Sequence, residues 1–120
     1  MEMKNKKLKP HISFLRNLAT ATPSERKILI ENASDKEMSA LTEIAMNITK
    51  GRFPVSDKHF HRLKRHKHII RKLASIHIPH KAKKIILKQK GGFLPILVAP
   101  ILSTLGAIAG RLISHHLGLS

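Results

Sequence analysis

Residues 22–51 run TPSERKILIENASDKEMSALTEIAMNITKG, and two short signatures inside them decide the fold. Thr22-Pro23-Ser24-Glu25 has the pattern of a capping box. Thr22 is placed to accept from the backbone at Glu25, the Glu25 carboxylate to reach back, and Pro23 to open the helix where its missing N–H costs nothing. This predicts a helix from Pro23 to about Glu31. Ser34-Asp35-Lys36-Glu37 repeats the pattern and opens a further helix. Its apolar stripe is Met38, Leu41, Ile44 or Ala45, and Ile48, until Gly51 supplies a C-terminal stop. Upstream, Ile12, Leu15 and Leu18 recur at three-residue steps on one face of a short helix.

Downstream, Gly51 to Val55 reads as a turn, because Pro54 disfavours helix at Phe53. Ser56 then caps a fourth helix expected to reach about Ile76. Phe60, Leu63, Ile70, Leu73 and Ile76 should face the core, with Lys58, Arg62, Arg65, Lys72 and several His around the rest. Pro79 starts a shorter fifth helix with Ala82, Ile85 and Ile86 as its apolar positions, and Gly91-Gly92 ends it. No stretch alternates in polarity over the length of a strand, and no repeat is visible. The fold class is therefore all-α, within one small domain.

The chain has 120 residues, 23 Lys and Arg against 7 Asp and Glu, and a formal net charge of +16. Its distribution is uneven. Residues 1–9 read as a basic flexible tail; they lack the apolar run and small-residue cleavage site of a secretory signal, which predicts an intracellular protein. Residues 10–50 read as a helical unit with balanced charge. From Lys50 to Lys90 there are fourteen Lys and Arg against the single Asp57, which defines residues 51–90 as a basic helical region. Residues 91–120 form a hydrophobic tail whose one charged group is Arg111.

Four Phe are the only aromatic residues, and there is no Cys, Trp or Tyr. The core is expected to be small and aliphatic, which leaves room for part of the chain to order only on a partner. Without Cys there is no disulfide, thiol nucleophile or Cys-ligated metal.

Fourteen cations facing one anion repel one another unless a partner supplies phosphate or carboxylate. Charge alone leaves open nucleic acid, an acidic membrane surface, an acidic protein, or a solvated face with no partner. Lys and Arg along amphipathic helices suit the phosphate backbone, where each contact releases counterions without reading sequence. The basic helix has no Asn or Gln for base edges, and there are no aromatic platforms for single strands. The expected partner is thus double-stranded DNA, bound without sequence preference through Lys58, Arg62, Lys64, Arg65, Lys67, Arg71, Lys72, Lys81, Lys83, Lys84, Lys88 and Lys90.

Six of the nine His fall between His59 and His80. None of them form the i, i+4 pairs that put two ligands on one helix face, so no metal and no cofactor is expected. They read instead as added positive charge and phosphate hydrogen-bonders. The motifs of hydrolases, nucleotide-binding loops and metalloproteases are absent, and the acids are mostly spent in helix first turns; no enzyme is expected.

From Phe93 to Gly110 run eighteen uncharged residues, which as a straight helix would reach about 27 Å. That nearly matches a bilayer core. Pro100, Gly106 and Gly110 argue against an isolated span and for burial against protein, with Leu97, Ile101, Leu105 and Ile108 as an assembly stripe in a homo-oligomer or on capsid proteins; a plain core helix stays open beside this, because short apolar runs are ambiguous.

The junction carries a resemblance. Gln89-Lys90-Gly91-Gly92-Phe93-Leu94-Pro95-Ile96-Leu97-Val98-Ala99-Pro100-Ile101-Leu102, followed by Gly106-Ala107-Ile108-Ala109-Gly110, resembles the carboxyl end of precursors in the adenovirus core protein X (mu) family. The longer pattern, with Asn47 to Gly51 and Lys64-Arg65-His66-Lys67, is similar to members from Polinton or Maverick elements and adintoviruses. The resemblance covers roughly residues 47–114, and its specific part is the dozen residues around Gly91-Gly92. It implies a DNA-condensing segment, cleavage by a viral cysteine protease between Gly92 and Phe93 after Gly91, and a place in the virion and, during assembly, the host nucleus. This segment is Lys- and His-rich where the adenoviral one is Arg-rich, and Gln89 replaces a larger apolar residue before the cut. The function expected is that of a DNA-packaging core or minor structural protein. A membrane-active entry protein, with basic helices on lipid headgroups and the tail inserted, is the alternative; an RNA-associated protein is third.

Overall fold

The computed structural model describes residues 8–53 and 55–105. The chain is all-α, and no strand occurs among the described residues. After a 3-10 turn at Lys9–His11 come α1 (Ile12–Thr20), α2 (Pro23–Glu31) and α3 (Asp35–Thr49). Two short basic helices follow, α4 (Asp57–Lys64) and α5 (Lys67–Ala74), and then α6 (His80–Lys90), a 3-10 turn at Gly91–Phe93 and α7 (Leu94–Leu105).

The local signals act as the sequence implies. Thr22 N donates to Glu25 Oε1 at 2.9 Å while Glu25 N donates to Thr22 Oγ1 at 3.2 Å. Ser34 and Glu37 make the same reciprocal pair at 2.9 and 3.1 Å. Each box satisfies donors that a helix start leaves orphaned. Gly51 stops α3 in the left-handed region at φ +67, which a side chain would strain. Ser56 Oγ accepts from His59 N and caps α4.

Packing joins segments that charge separates. α1 lies along α7, α3 along α5, and α2 against α6. Every helix contributes to one apolar core, from Leu15 and Leu18 through Leu41, Ile44, Leu63, Leu73 and Leu87 to Leu97 and Ile101. The radius of gyration is 13.3 Å, near the ~13 Å of a close-packed domain of about 100 residues. The tail helix is therefore a central piece of the fold.

The structure departs from several expectations. The helix expected from Ser56 to about Ile76 is two helices, broken at Arg65 and His66. No Pro or Gly marks the break. Like charges at i, i+4, such as Lys58 with Arg62 and Lys67 with Arg71, weaken the helix intrinsically, so tertiary packing sets its path. There the His66 ring stacks on Phe93, with centroids 5.5 Å apart.

Phe60, Ile76 and Ile85 do not face the core; they are 54%, 74% and 54% exposed. Phe60 is half-exposed at an open groove that it lines with Ile48, Leu63 and Ile70, and Ile76 has left the helical period beyond α5. Ile85 is turned out because α6 presents Lys83 and Leu87 inward instead.

Lys83 is not at the surface, and Leu97 and Ile101 are not an assembly face, since all three side chains are buried within the chain itself. The flexible tail expected over residues 1–9 ends sooner, since Leu8 is fully buried in the core and Lys9 begins the 3-10 turn; the expectations for residues 1–7, for the Leu105 side chain and Ile108, and for Pro54, Gly106 and Gly110 lie outside the described residues.

Pro100 sits inside α7 and cannot donate to the carbonyl of Ile96, four residues before it. His59, reaching from α4, donates from Nε2 to that oxygen. A side chain of the basic region thus repairs the defect in the apolar helix.

Candidate nucleic-acid interface

Two short helices and the break between them carry most of the candidate cations. Lys58, Arg62 and Lys64 project from α4, Arg65 marks the break, and Lys67, Arg71 and Lys72 project from α5; all seven are exposed. Leu63, Ile70 and Leu73 hold the inner faces of these helices in the core, which turns the charged positions outward. Among the described residues none of the seven has an acidic partner.

Further cations extend this surface. Lys50 and Arg52, at the end of α3 and just beyond it, are also exposed, and Lys50 and Arg71 line one shallow depression. Neither residue is among those expected from sequence to meet phosphate; their place in the same charge block is the signal that points to them.

α6 divides its lysines differently. Lys81 and Lys90 are exposed. Lys84 is spent on the end of α2, donating to the carbonyls of Glu31 at 3.2 Å and Ala33 at 2.6 Å. The Glu31 carbonyl is one that a helix end leaves without a donor, and Ala33 lies in the link to α3, so a cation is well placed there. Lys88 pairs with the Glu31 carboxylate at 2.8 Å, and this hydrogen bond and the ammonium charge hold the Glu31 carboxyl below its usual range.

Lys83 is the outlier. It is 2% exposed, and its Nζ donates to Thr42 Oγ1 at 2.7 Å. A hydroxyl offers no countercharge, and burial pushes the Lys83 pKa down. Lys83 therefore ties α6 to α3 and leaves the set of phosphate-facing residues.

The histidines also divide. His59 and His66 hold α7 and the Gly91–Phe93 turn, His80 Nδ1 lies 3.4 Å from Asp35, and His61, His68 and His77 are exposed among the cations. Among the described residues no three His, Asp or Glu come together as a metal site would require.

At the junction Gly91 and Phe93 are buried and Gly92 is exposed. A side chain at Gly91 would meet Leu94 Cδ1 at 3.3 Å, whereas one at Gly92 would meet nothing within 4 Å. Gly92 has no positive φ either. The fold itself does not call for glycine there, although glycine weakens a helical turn relative to alanine.

No protein-family model, curated protein or solved structure matches the chain.

Proposed function

We propose that this chain binds double-stranded DNA through its phosphates, as a packaging or minor structural protein of a virus-like particle. The observation that carries the reading is the set of eleven exposed Lys and Arg between Lys50 and Lys90, none with an acidic partner among the described residues. Such a surface has repulsion to relieve, and phosphate relieves it with release of counterions.

The resemblance around Gly91-Gly92 supplies the viral context and the processing step between Gly92 and Phe93. Phe93 is buried and its backbone is in a 3-10 turn, so a protease that grips extended chain needs this turn to open first. The exposed Gly92 has no structural duty and suits such a site.

Fluorescence anisotropy of the full chain with labelled duplexes, one of random and one of defined sequence, tests the reading. The expected result is equal affinity for both, with log K falling by about 0.9 per phosphate contact for each unit of log salt. A flat salt dependence, or strong preference for one sequence, overturns it.

One observation favours a second reading, membrane activity. The helical stretch His80–Ser103 is long and apolar enough to cross a membrane, with a mean hydropathy of 1.5 over its best window. In the fold, however, its Leu87, Leu94, Leu97 and Ile101 belong to the core. Dye release from anionic vesicles by the intact chain, without DNA binding, is the result that places this reading first.

A further inference from the structure

We propose that the groove between the end of α3 and the α4–α5 break is a docking site for an acidic amphipathic segment of a partner protein. Its floor is apolar, formed by Ile48, Leu63 and Ile70, and Phe60 stands beside it half-exposed. Thr49 and three cations, Lys64, Lys67 and Arg71, complete the lining, and among the described residues no carboxylate takes part.

Charge complementarity and shape together select the occupant. Duplex phosphate satisfies the three cations but offers nothing apolar to cover Phe60 and the floor. A lipid surface meets protruding side chains, whereas these apolar groups line a hollow. Its volume, 230 Å³, is below the roughly 300–1,000 Å³ of pockets for drug-sized ligands. It suits one or two bulky side chains from a helix or turn, the usual mode by which an amphipathic segment enters a groove. Asp or Glu flanking that anchor then pair with the rim, while the lysine stems lie along its apolar surface. The groove thus gives a basic DNA-binding chain a separate means of attachment to protein.

The test is a binding titration of the full chain with a short fluorescein-labelled peptide of Leu, Phe, Glu and Ala. Its apolar residues recur at three- and four-residue steps; a permuted peptide of the same composition spreads them around the helix. The patterned peptide is expected to bind roughly tenfold or more tightly than the permuted one, and Phe60→Ser to remove a similar factor. Phe60→Ser should keep the helical circular dichroism and its affinity for duplex DNA, which separates this inference from the DNA reading. Equal binding of the two peptides, or an unaffected Phe60→Ser, reduces the groove to a charge effect and overturns the proposal. Equal weakening of DNA and peptide assigns the groove to the DNA surface and overturns it too. So does capture by phosphatidylglycerol vesicles that depends on Phe60 when the peptide does not bind. If Phe60→Ser loses helix, Phe60→Ala, which keeps a good helix former, provides the comparison: it must weaken the patterned peptide more than the permuted one, and an unchanged affinity overturns the docking site.

Discussion

Replacing Leu97 by Ala tests whether the apolar tail helix belongs to the fold or to an assembly. Leu97 is fully buried in the core that α7 shares with α1, and truncating a buried leucine costs about 2–5 kcal/mol in lost transfer energy and residual cavity. Against a total stability of about 5–15 kcal/mol for a small domain, that is a large fraction. It corresponds to a fall in Tm of about 8–20 °C. Ile101 is one turn further along the same buried face, so Leu97→Ala with Ile101→Ala should leave the chain largely unfolded, though neighbours in contact do not add strictly. Leu97→Asp should unfold it outright, because a buried carboxylate has no partner there. Far-UV circular dichroism during thermal and urea unfolding is the assay, since the chain has no Trp or Tyr for fluorescence. Ile28→Ala, at a position 62% exposed, is the surface control and should stay within about 0.5 kcal/mol. If Leu97→Ala melted with the wild type and lost only self-association, measured by sedimentation, the intramolecular packing of α7 would be refuted.

Gly92→Ala should stabilise the chain by roughly 0.5–1 kcal/mol, since its Cβ meets open space; a loss of stability in urea titrations would contradict this. If the junction is a protease site, mass spectrometry should also find Gly92→Ala cut more slowly. His59→Ala should cost about 1–3 kcal/mol by orphaning the Ile96 carbonyl. That cost should shrink when Pro100→Ala restores the helical donor, a coupling that a double-mutant cycle by urea unfolding measures. Lys83→Met should change the pH dependence of stability. Burial places the folded pKa of Lys83 below its ordinary 10.5, so below the folded value both states are protonated and the cost of burying the ammonium is fully present. As pH rises through the folded value toward the unfolded one, the folded state sheds its proton first and stability rises. The wild type should therefore gain on Lys83→Met between neutral pH and about pH 10; the opposite trend in paired urea titrations would show that the ammonium is not penalised.

What could be read from the sequence was what neighbouring residues decide. The boundaries of α2 and α3 followed from Thr22, Glu25, Ser34, Glu37 and Gly51, because caps and stops act within one turn. The all-α class followed from the same periodicity. Partners distant in sequence were not legible. An apolar run looks the same whether it covers a second copy or its own chain, so nothing in residues 93–105 announced α1 as the occupant of α7. The apolar side chains of α6 fall on several faces, and without a clear phase the choice of Lys83 and Leu87 as the inward pair rested on tertiary contacts. The Arg65–His66 break had no local signal, and its outcome, His66 on Phe93 and His59 on Ile96, joins residues 27 and 37 positions apart.

The placement of the acids explains why the basic surface is left unbalanced. Glu25 and Glu37 are held in the two capping boxes, and Asp35 and Asp57 lie in the first turns of α3 and α4. A carboxylate at a helix start is favoured by the exposed N–H groups and the dipole. Glu31 answers Lys88, and Glu43 accepts from Asn47 Nδ2 at 3.0 Å. Every described acid is thus used in building or joining helices, and α5, with Lys67, Arg71 and Lys72, carries none. Placing a carboxylate among those cations would relieve their repulsion without disturbing a buried residue, since His68, which lies between them, is exposed. The fold therefore permits a neutral surface at α5 and the sequence does not use one, which is the pattern expected when the balancing charge belongs to another molecule.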